Sequence, residues 1–177
     1  MSRLNLGVLS GGILLIAGLR FLMAPYPNIE PIMLFVISTA LVFGPLAGLI
    51  LGFGSMVVSD LFIGLIGPWT IYTSLTYGFI GILVGFIGVV KNKWGRSELT
   101  TLAFVMTIAY DIITATFFAF EFMVPWSAAM VAQIPFTLLH LSNCVFVFLF
   151  APYMMRVFSA ARDFSIVRFL RDFRVYT

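Results

Sequence analysis

Apolar segments of about 20 residues recur along this chain and constrain its fold more than any other feature. A run of that length, as a helix rising about 1.5 Å per residue, crosses the roughly 30 Å hydrocarbon core of a bilayer. Of the 177 residues, 62% are hydrophobic and only 10% are charged. The alternating polar and apolar pattern of barrel strands is absent. The sequence therefore predicts an all-α integral membrane protein.

We predict six transmembrane helices. The predicted spans are 4–22, 32–43, 45–63, 71–90, 99–120 and 133–153, with a loop over 121–132. The second span is short, since its 12 residues make about 18 Å of helix. Joining 32–63 into one kinked helix would give five spans, but that helix would be about 48 Å long. The dipeptide Gly44-Pro45 provides a natural break, so six spans fit better.

The basic residues indicate the orientation in the membrane. With six spans and the N-terminus inside, nine of the ten Lys and Arg residues are cytoplasmic and only Arg20 lies outside. Five spans with the N-terminus outside would also place nine Lys and Arg residues inside, so charge alone does not distinguish the two topologies. We predict a multi-pass protein of the cell membrane with cytoplasmic N- and C-termini. The net charge of +3 fits the lipid bilayer surface better than nucleic acid.

The chain is expected to form one membrane domain over residues 1–155 and a basic amphipathic cytoplasmic tail over 156–177, where Arg alternates with Phe, Val and Leu. Cys144 stands alone in an apolar run, which excludes disulfides and thiolate metal sites. We predict neither a metal nor a cofactor.

Two sets of glycines predict close helix packing. Gly44, Gly48 and Gly52 recur every four residues, and a second set follows at steps of three and four from Gly78 to Gly88. Small residues at this spacing let helix backbones approach each other, which is how helices associate in lipid.

Polar side chains gather toward the predicted outer face, whereas the inner halves of the helices are almost purely apolar. Such groups cost free energy in a membrane and are usually functional or paired. Asp111 and His140 are predicted to lie deeper, near mid-membrane. No continuous polar file, as a channel needs, is evident. The pattern predicts a small-molecule pocket open to one side. The outer set is Arg20, Asn28, Glu30, Asp60, Trp69, Tyr72, Thr76, Glu121, Trp126 and Gln133.

Three motifs occur in a specific order. They are P-N-I-E-P, then G-P-L-A-G-x-x-x-G ending in Ser59-Asp60, then G-P-W-T followed by Y-G-x-x-G. With the size and six predicted helices, they make the chain resemble the S components of energy-coupling factor (ECF) transporters. These are the substrate-capturing membrane subunits of prokaryotic importers for vitamins and related micronutrients. The resemblance extends to about Tyr153.

The resemblance implies a six-helix S-component bundle that captures a vitamin or related micronutrient with high affinity from outside. It implies handover to a membrane coupling subunit and two ATPase subunits, and this chain has no phosphate-binding G-x-x-x-x-G-K-[ST] of its own. Gly7 and Gly11 keep the spacing of the family's contact with the coupling subunit. The implied substrate contacts, with the first two in a closing loop, are Asn28, Glu30, Asp60, Trp69, Tyr72, Asp111, Gln133, His140 and Asn143.

Other interpretations remain open for several residues. Asp60 would have a structural role if it paired with Arg20, and His140 and Asn143 would if they bonded a neighbouring helix. A non-transport membrane scaffold or assembly protein would not need the outer polar set. An intramembrane serine hydrolase would need Ser55 paired with His140. We expect no enzyme activity. A cationic or neutral ligand is favoured over an anion.

Overall fold

The computed structural model describes residues 6–91 and 93–163, and within them the chain forms seven helices. Four of these helices are each long and apolar enough to cross a membrane, and the last two together form a fifth such stretch, from Trp126 to Arg162. With the short second helix this makes six membrane segments, as the sequence predicts. The helices are α1 (Leu6–Met23), α2 (Ile32–Phe43), α3 (Pro45–Ile63), α4 (Pro68–Val90), α5 (Arg96–Glu121), α6 (Trp126–His140) and α7 (Ser142–Asp163).

Long-range hydrogen bonds show which helix ends lie together. Arg20 near the end of α1 bonds Asp60 near the end of α3, and Asp60 also bonds Thr70 at the start of α4. We call this end of the bundle the site end. At the opposite end, Arg162 of α7 donates to the carbonyl of Val42 of α2 at 3.3 Å. We call that end the basic end. The described basic residues toward it are Lys91, Lys93, Arg96, Arg156 and Arg162.

The chain reverses between α2 and α3. Gly44 has a φ of +96°, which favours glycine, and Pro45 is the first residue of α3. A Cβ placed on Gly48 would lie 2.8 Å from the Cβ of Ala40. Eight residues along one continuous helix would separate these positions by about 12 Å. The two helices therefore form a tight hairpin, and the single kinked helix of the five-span alternative is excluded.

The predicted glycine faces pack against each other and bring α3 and α4 into backbone contact. A Cβ on Gly48 would lie 2.5 Å from the carbonyl oxygen of Gly81, and one on Gly52 would lie 2.5 Å from that of Tyr77. Gly85 packs in the same way on the backbone of Pro45. The close-packing prediction is confirmed for this pair of helices. Gly44 serves the chain reversal instead, since a Cβ there would meet nothing within 4 Å.

The short helix α2 lies at the centre of the bundle. Every residue except Leu41 is buried, including the hydroxyl-bearing Ser38 and Thr39. A helix that is apolar on all sides belongs inside a protein or a membrane. Here the neighbouring helices cover it, with α3, α4 and α7 packed around it. Its shortness is therefore compatible with the bilayer, because it does not have to match the lipid thickness itself.

The last membrane segment differs from its predicted bounds. The sequence predicts a loop over 121–132 and a helix from Gln133, but α6 already begins at Trp126. The loop prediction is wrong over 126–132 because Pro125 ends the loop and the alanine-rich residues after it favour helix. A break at Leu141 then separates α6 from α7.

Smaller differences occur at other helix ends. α4 begins at Pro68, three residues before its predicted start, because proline suits the first turn of a helix. α5 begins at Arg96, where the Gly95 N–H donates to the Glu98 carboxylate at 2.8 Å. α7 continues past residue 153 to Asp163 and includes the start of the predicted tail. Residues 164–177 lie outside the described residues, so the cytoplasmic tail stays a prediction.

Candidate substrate-binding site

Arg20 joins three segments of the chain at the site end. Its Nε donates to Glu30 Oε2 at 2.6 Å, and one terminal nitrogen donates to Asp60 Oδ1 at 2.9 Å and to the Ser59 hydroxyl. The Arg20, Glu30 and Asp60 side chains are 17%, 13% and 6% exposed. Charge-assisted bonds of this kind are strong, and a guanidinium suits two carboxylates at once. The pairing of Asp60 with Arg20, left open above, is therefore present.

Both oxygens of Asp60 are occupied. Oδ2 accepts a hydrogen bond from the Thr70 hydroxyl at 2.7 Å, and the Thr70 oxygen in turn accepts the Gly67 N–H at 3.2 Å. This arrangement fixes the turn between α3 and α4 against the end of α1. Asp60 thus has a structural part in the site, since it anchors Arg20.

Glu30 connects this anchored pair to the bundle interior. Its second oxygen, Oε1, accepts a hydrogen bond from the Tyr77 hydroxyl at 3.0 Å. The same hydroxyl lies 3.1 Å from His140 Nε2, and His140 Nδ1 lies 2.9 Å from Asp111 Oδ1. A chain of polar contacts therefore runs from the loop before α2 to mid-helix positions of α4 and α5 and to the end of α6.

The electrostatic environment keeps Glu30 ionised. Burial raises the pKa of this carboxyl, but the positive charge of Arg20, the nearby His140 ring, and hydrogen bonds from Arg20 and Tyr77 together hold the pKa below its ordinary value. A charged loop residue is thus held inside the protein by its partners rather than by water.

Two adjoining cavities open at the site end. The first, of about 340 Å³, lies beneath the loop between α1 and α2, and the second, of about 200 Å³, lies between α4, α5 and α6. Both are lined by Asn28, Trp69, Thr73 and Tyr110, so they form parts of one cleft. Aromatic faces beside a few directed polar groups are the usual lining of a small-molecule site.

The cleft collects eight of the nine predicted contact residues. The first cavity is lined by Asn28, Glu30, Asp60, Trp69 and His140. The second is lined by Asn28, Trp69, Tyr72, Asp111 and Gln133.

The ninth predicted contact, Asn143, lines neither cavity. It is fully buried on α7, and both polar atoms of its amide lack a hydrogen-bond partner within the described residues. The Asp111 Oδ2 atom is also buried without a partner there. Asp111 also lines the second cavity.

The loop over residues 24–31 lies over the first cavity and is attached to helices on both sides of it. Glu30 ties it to α1 and α4, as described above, and the Asn28 amide donates to the carbonyl of Phe136 on α6 at 3.3 Å. Asn28 has a φ of +59°, a conformation that asparagine tolerates better than most residues. The loop is thereby attached to both walls of the cleft.

Sequence reasoning missed Tyr77 and Tyr110. Tyr77 is fully buried and links Glu30 to His140, while the ring of Tyr110 packs on Tyr77 with centroids 4.3 Å apart. Tyr110 directly precedes Asp111, and that neighbour was the one available signal. Tyr77 lies at the start of the glycine-rich face of α4, which hid its polar role.

The other predicted polar residues have simpler environments. Glu121 is exposed, and Trp126 is exposed with its indole N–H donating to Thr116 at 3.1 Å. Ser55 donates to the Leu51 carbonyl of its own helix at 2.5 Å. Both ring nitrogens of His140 contact other groups, so the pair required by a serine hydrolase is not formed.

The proposed partner face on α1 is open. Gly7 and Gly11 are both exposed, and a Cβ on Gly11 would meet nothing within 4 Å. Their smooth surface points away from the helices that pack against α1.

A bundle of six membrane segments with a polar, aromatic cleft at its site end is the arrangement expected of a membrane-embedded binding protein for a small solute. A family model described as ECF-type riboflavin transporter, S component, matches residues 11–159, and the chain belongs to this family. Members are substrate-binding subunits for vitamin uptake and are not enzymes, which rules out the scaffold and hydrolase alternatives. Searches of curated proteins and of solved structures return no significant match.

Proposed function

We propose that the chain captures a vitamin-type molecule in the cleft beneath loop 24–31 and passes it to an ATP-driven ECF module. The observation that carries this proposal is the cleft itself, which is lined by aromatic and charged side chains at the site end of the bundle. The loop is attached over it by Asn28 and Glu30. Detaching those contacts would open the cleft, and restoring them would enclose a bound molecule.

Riboflavin is the first ligand to test, because the matching family model is described as the S component of a riboflavin transporter. It is a neutral molecule with a flat aromatic ring system and a hydroxylated chain. The rings of Trp69, Tyr72 and Tyr110 offer faces for stacking, and the Asp111 carboxylate, which also lines the cleft, would serve as the acceptor for a hydroxyl or N–H of the ligand. The buried carboxylates outnumber Arg20, which favours a neutral or cationic ligand over an anion.

Delivery requires partners that supply ATP hydrolysis. We propose that Gly7 and Gly11 on the open face of α1 contact the membrane coupling subunit, and that two ATPase subunits complete the module. Small exposed residues permit a close and reversible helix contact. The basic end of the bundle fits the cytoplasmic side of the cell membrane, with both termini there and the cleft outside.

Binding can be tested with the purified full chain in detergent. Riboflavin fluorescence is expected to be quenched on titration with the wild type. We expect Tyr110→Ala to weaken binding at least tenfold, because the Tyr110 ring lines both cavities. Tyr153→Ala is the matched control, since Tyr153 is exposed near the basic end. Mass spectrometry of copurifying small molecules, comparing wild type with Asp111→Ala, identifies another vitamin if riboflavin does not bind.

Equal affinities for wild type and Tyr110→Ala would contradict the placement of the site. If no vitamin bound and no small molecule copurified, the capture function itself would be refuted.

A further inference from the structure

The hydrogen-bond chain around His140 requires one more proton than its neutral form supplies. The Asp111 carboxylate can only accept, so the 2.9 Å contact with His140 Nδ1 needs a proton on that nitrogen. Tyr77 has a single hydroxyl proton, which it donates to Glu30 at 3.0 Å. The 3.1 Å contact between the Tyr77 oxygen and His140 Nε2 then needs a proton on the second nitrogen as well.

The charges of the surrounding groups agree with this count. The site holds three carboxylates, those of the buried Asp60 and Asp111 and of the partly buried Glu30, and one guanidinium, that of Arg20. Unpaired charge buried in a membrane protein is costly, and an imidazolium would supply a second cation. Glu30 Oε1 lies 3.9 Å from His140 Nε2, close enough to contribute.

We propose that His140 is a buried proton-binding site, held as an imidazolium that donates to Asp111 and to Tyr77. The groups that face it come from each neighbouring element: Asp111 and Tyr110 from α5, Tyr77 from α4, and Glu30 from the loop, with Arg20 and Asp60 behind Glu30. Helix α2 carries no titratable residue.

Loss of this proton has a defined consequence. A neutral His140 that keeps its bond to Asp111 has an unprotonated Nε2, which accepts a hydrogen bond from the Tyr77 hydroxyl in place of Glu30. Glu30 Oε1 then loses its donor, and Arg20 alone holds the loop on this side of the cleft. Proton release therefore loosens the loop over the first cavity. This coupling to ligand capture rests on the proposed function, whereas the proton site itself does not.

Nuclear magnetic resonance of the full chain in detergent tests the proton site directly. The sequence contains one histidine, so labelling with ¹³C,¹⁵N-histidine and purifying by a histidine-free tag reports His140 alone. At pH 7 we expect ¹⁵N shifts of a doubly protonated ring in the wild type, and of a neutral ring in Asp111→Asn and Tyr77→Phe. Tyr110→Phe is the matched control, since its ring packs edge-on to His140 outside the hydrogen-bond chain.

A neutral wild-type ring at pH 7, with one bare nitrogen, would overturn the proposal. So would a doubly protonated ring in both Asp111→Asn and Tyr77→Phe. If those variants do not fold, the wild-type spectrum decides the question by itself.

The coupling to the loop is tested with riboflavin as the probe. Above the pH at which His140 loses its proton, we expect the wild-type Kd to rise by up to tenfold per pH unit, the limit for one linked proton. Tyr77→Phe should lose that dependence. A wild-type Kd independent of pH across the His140 transition would refute the coupling. Absence of riboflavin binding at every pH would instead count against this ligand, and the histidine spectrum would still test the proton site.

Discussion

The contact between Gly48 and Gly81 makes a strong prediction about stability. A Cβ on Gly81 would overlap the backbone carbonyl group of Gly48, and neither helix has a flexible side chain at that point to move aside. Overpacking costs about 1–3 kcal/mol, and contact of backbone with backbone belongs at the upper end. The better helix propensity of alanine returns up to about 1 kcal/mol. We therefore expect Gly81→Ala to destabilise the fold by about 2 kcal/mol.

The matched control is Gly11→Ala. It makes the same chemical change in a helix where the added methyl meets nothing within 4 Å. In a chain of this length 1 kcal/mol corresponds to about 2–4 °C in Tm, so Gly81→Ala should melt about 4–8 °C below the wild type. Gly11→Ala should melt at the wild-type temperature or slightly above it. Thermal unfolding followed by tryptophan fluorescence in one detergent measures both.

The reasoning is refuted if Gly81→Ala melts at or above the temperature of Gly11→Ala. That result would mean that α3 and α4 separate at little cost, and that their glycines do not set the distance between them.

Four further predictions concern the site and its partners. Arg20→Gln removes the cation that pairs with the buried Asp60 and the partly buried Glu30, and it should cost about 3–5 kcal/mol in urea or thermal unfolding. Lys93→Gln, at an exposed position of the basic end, should cost less than about 0.5 kcal/mol. Asn28→Ala removes one attachment of the loop and should raise the rate of ligand release several-fold in stopped-flow fluorescence. Its Tm should fall slightly, because alanine tolerates the positive φ at this position less well than asparagine does. The pKa of Glu30 is lower in the folded than in the unfolded protein, so its ionised carboxylate stabilises the folded state. This stabilisation is complete above about pH 4.3 and is lost as the pH falls through the folded pKa. The Tm values of wild type and Glu30→Gln should therefore converge toward low pH. Gly11→Leu should reduce copurification of the coupling subunit while riboflavin binding stays intact, and unchanged copurification would remove that face from the interaction.

Much of the fold follows from local sequence signals. α2 and α3 begin and end where the apolar runs and Gly44-Pro45 place them, because a break of this kind acts within a few residues. The start of α6 was misplaced since Pro125 and Trp126 suggested a loop, whereas proline is also suited to the residue before a helix. The break at Leu141 has no comparable signal, and Pro135 is accommodated inside α6.

The sequence predicts which residues lie near the site, but not which of them bond to each other. Polar residues in apolar segments are conspicuous, so most of the cleft lining could be chosen from the sequence. Contacts such as Glu30 with Tyr77 and Tyr77 with His140 join residues 47 and 63 positions apart. A single sequence contains no local pattern for such distances. Tyr77 was therefore missed, although it joins the loop to the interior.

The central position of α2 has a consequence for how the protein enters the membrane. With 12 residues it is too short to be recognised by itself as a membrane-spanning segment, which takes about 18 or more. The tight reversal at Gly44 joins it to α3, which is long and apolar enough to insert. We expect the two helices to leave the translocation channel together as a helical hairpin. Because α2 is synthesised before α4 and α7, it enters the membrane before the helices that later enclose it.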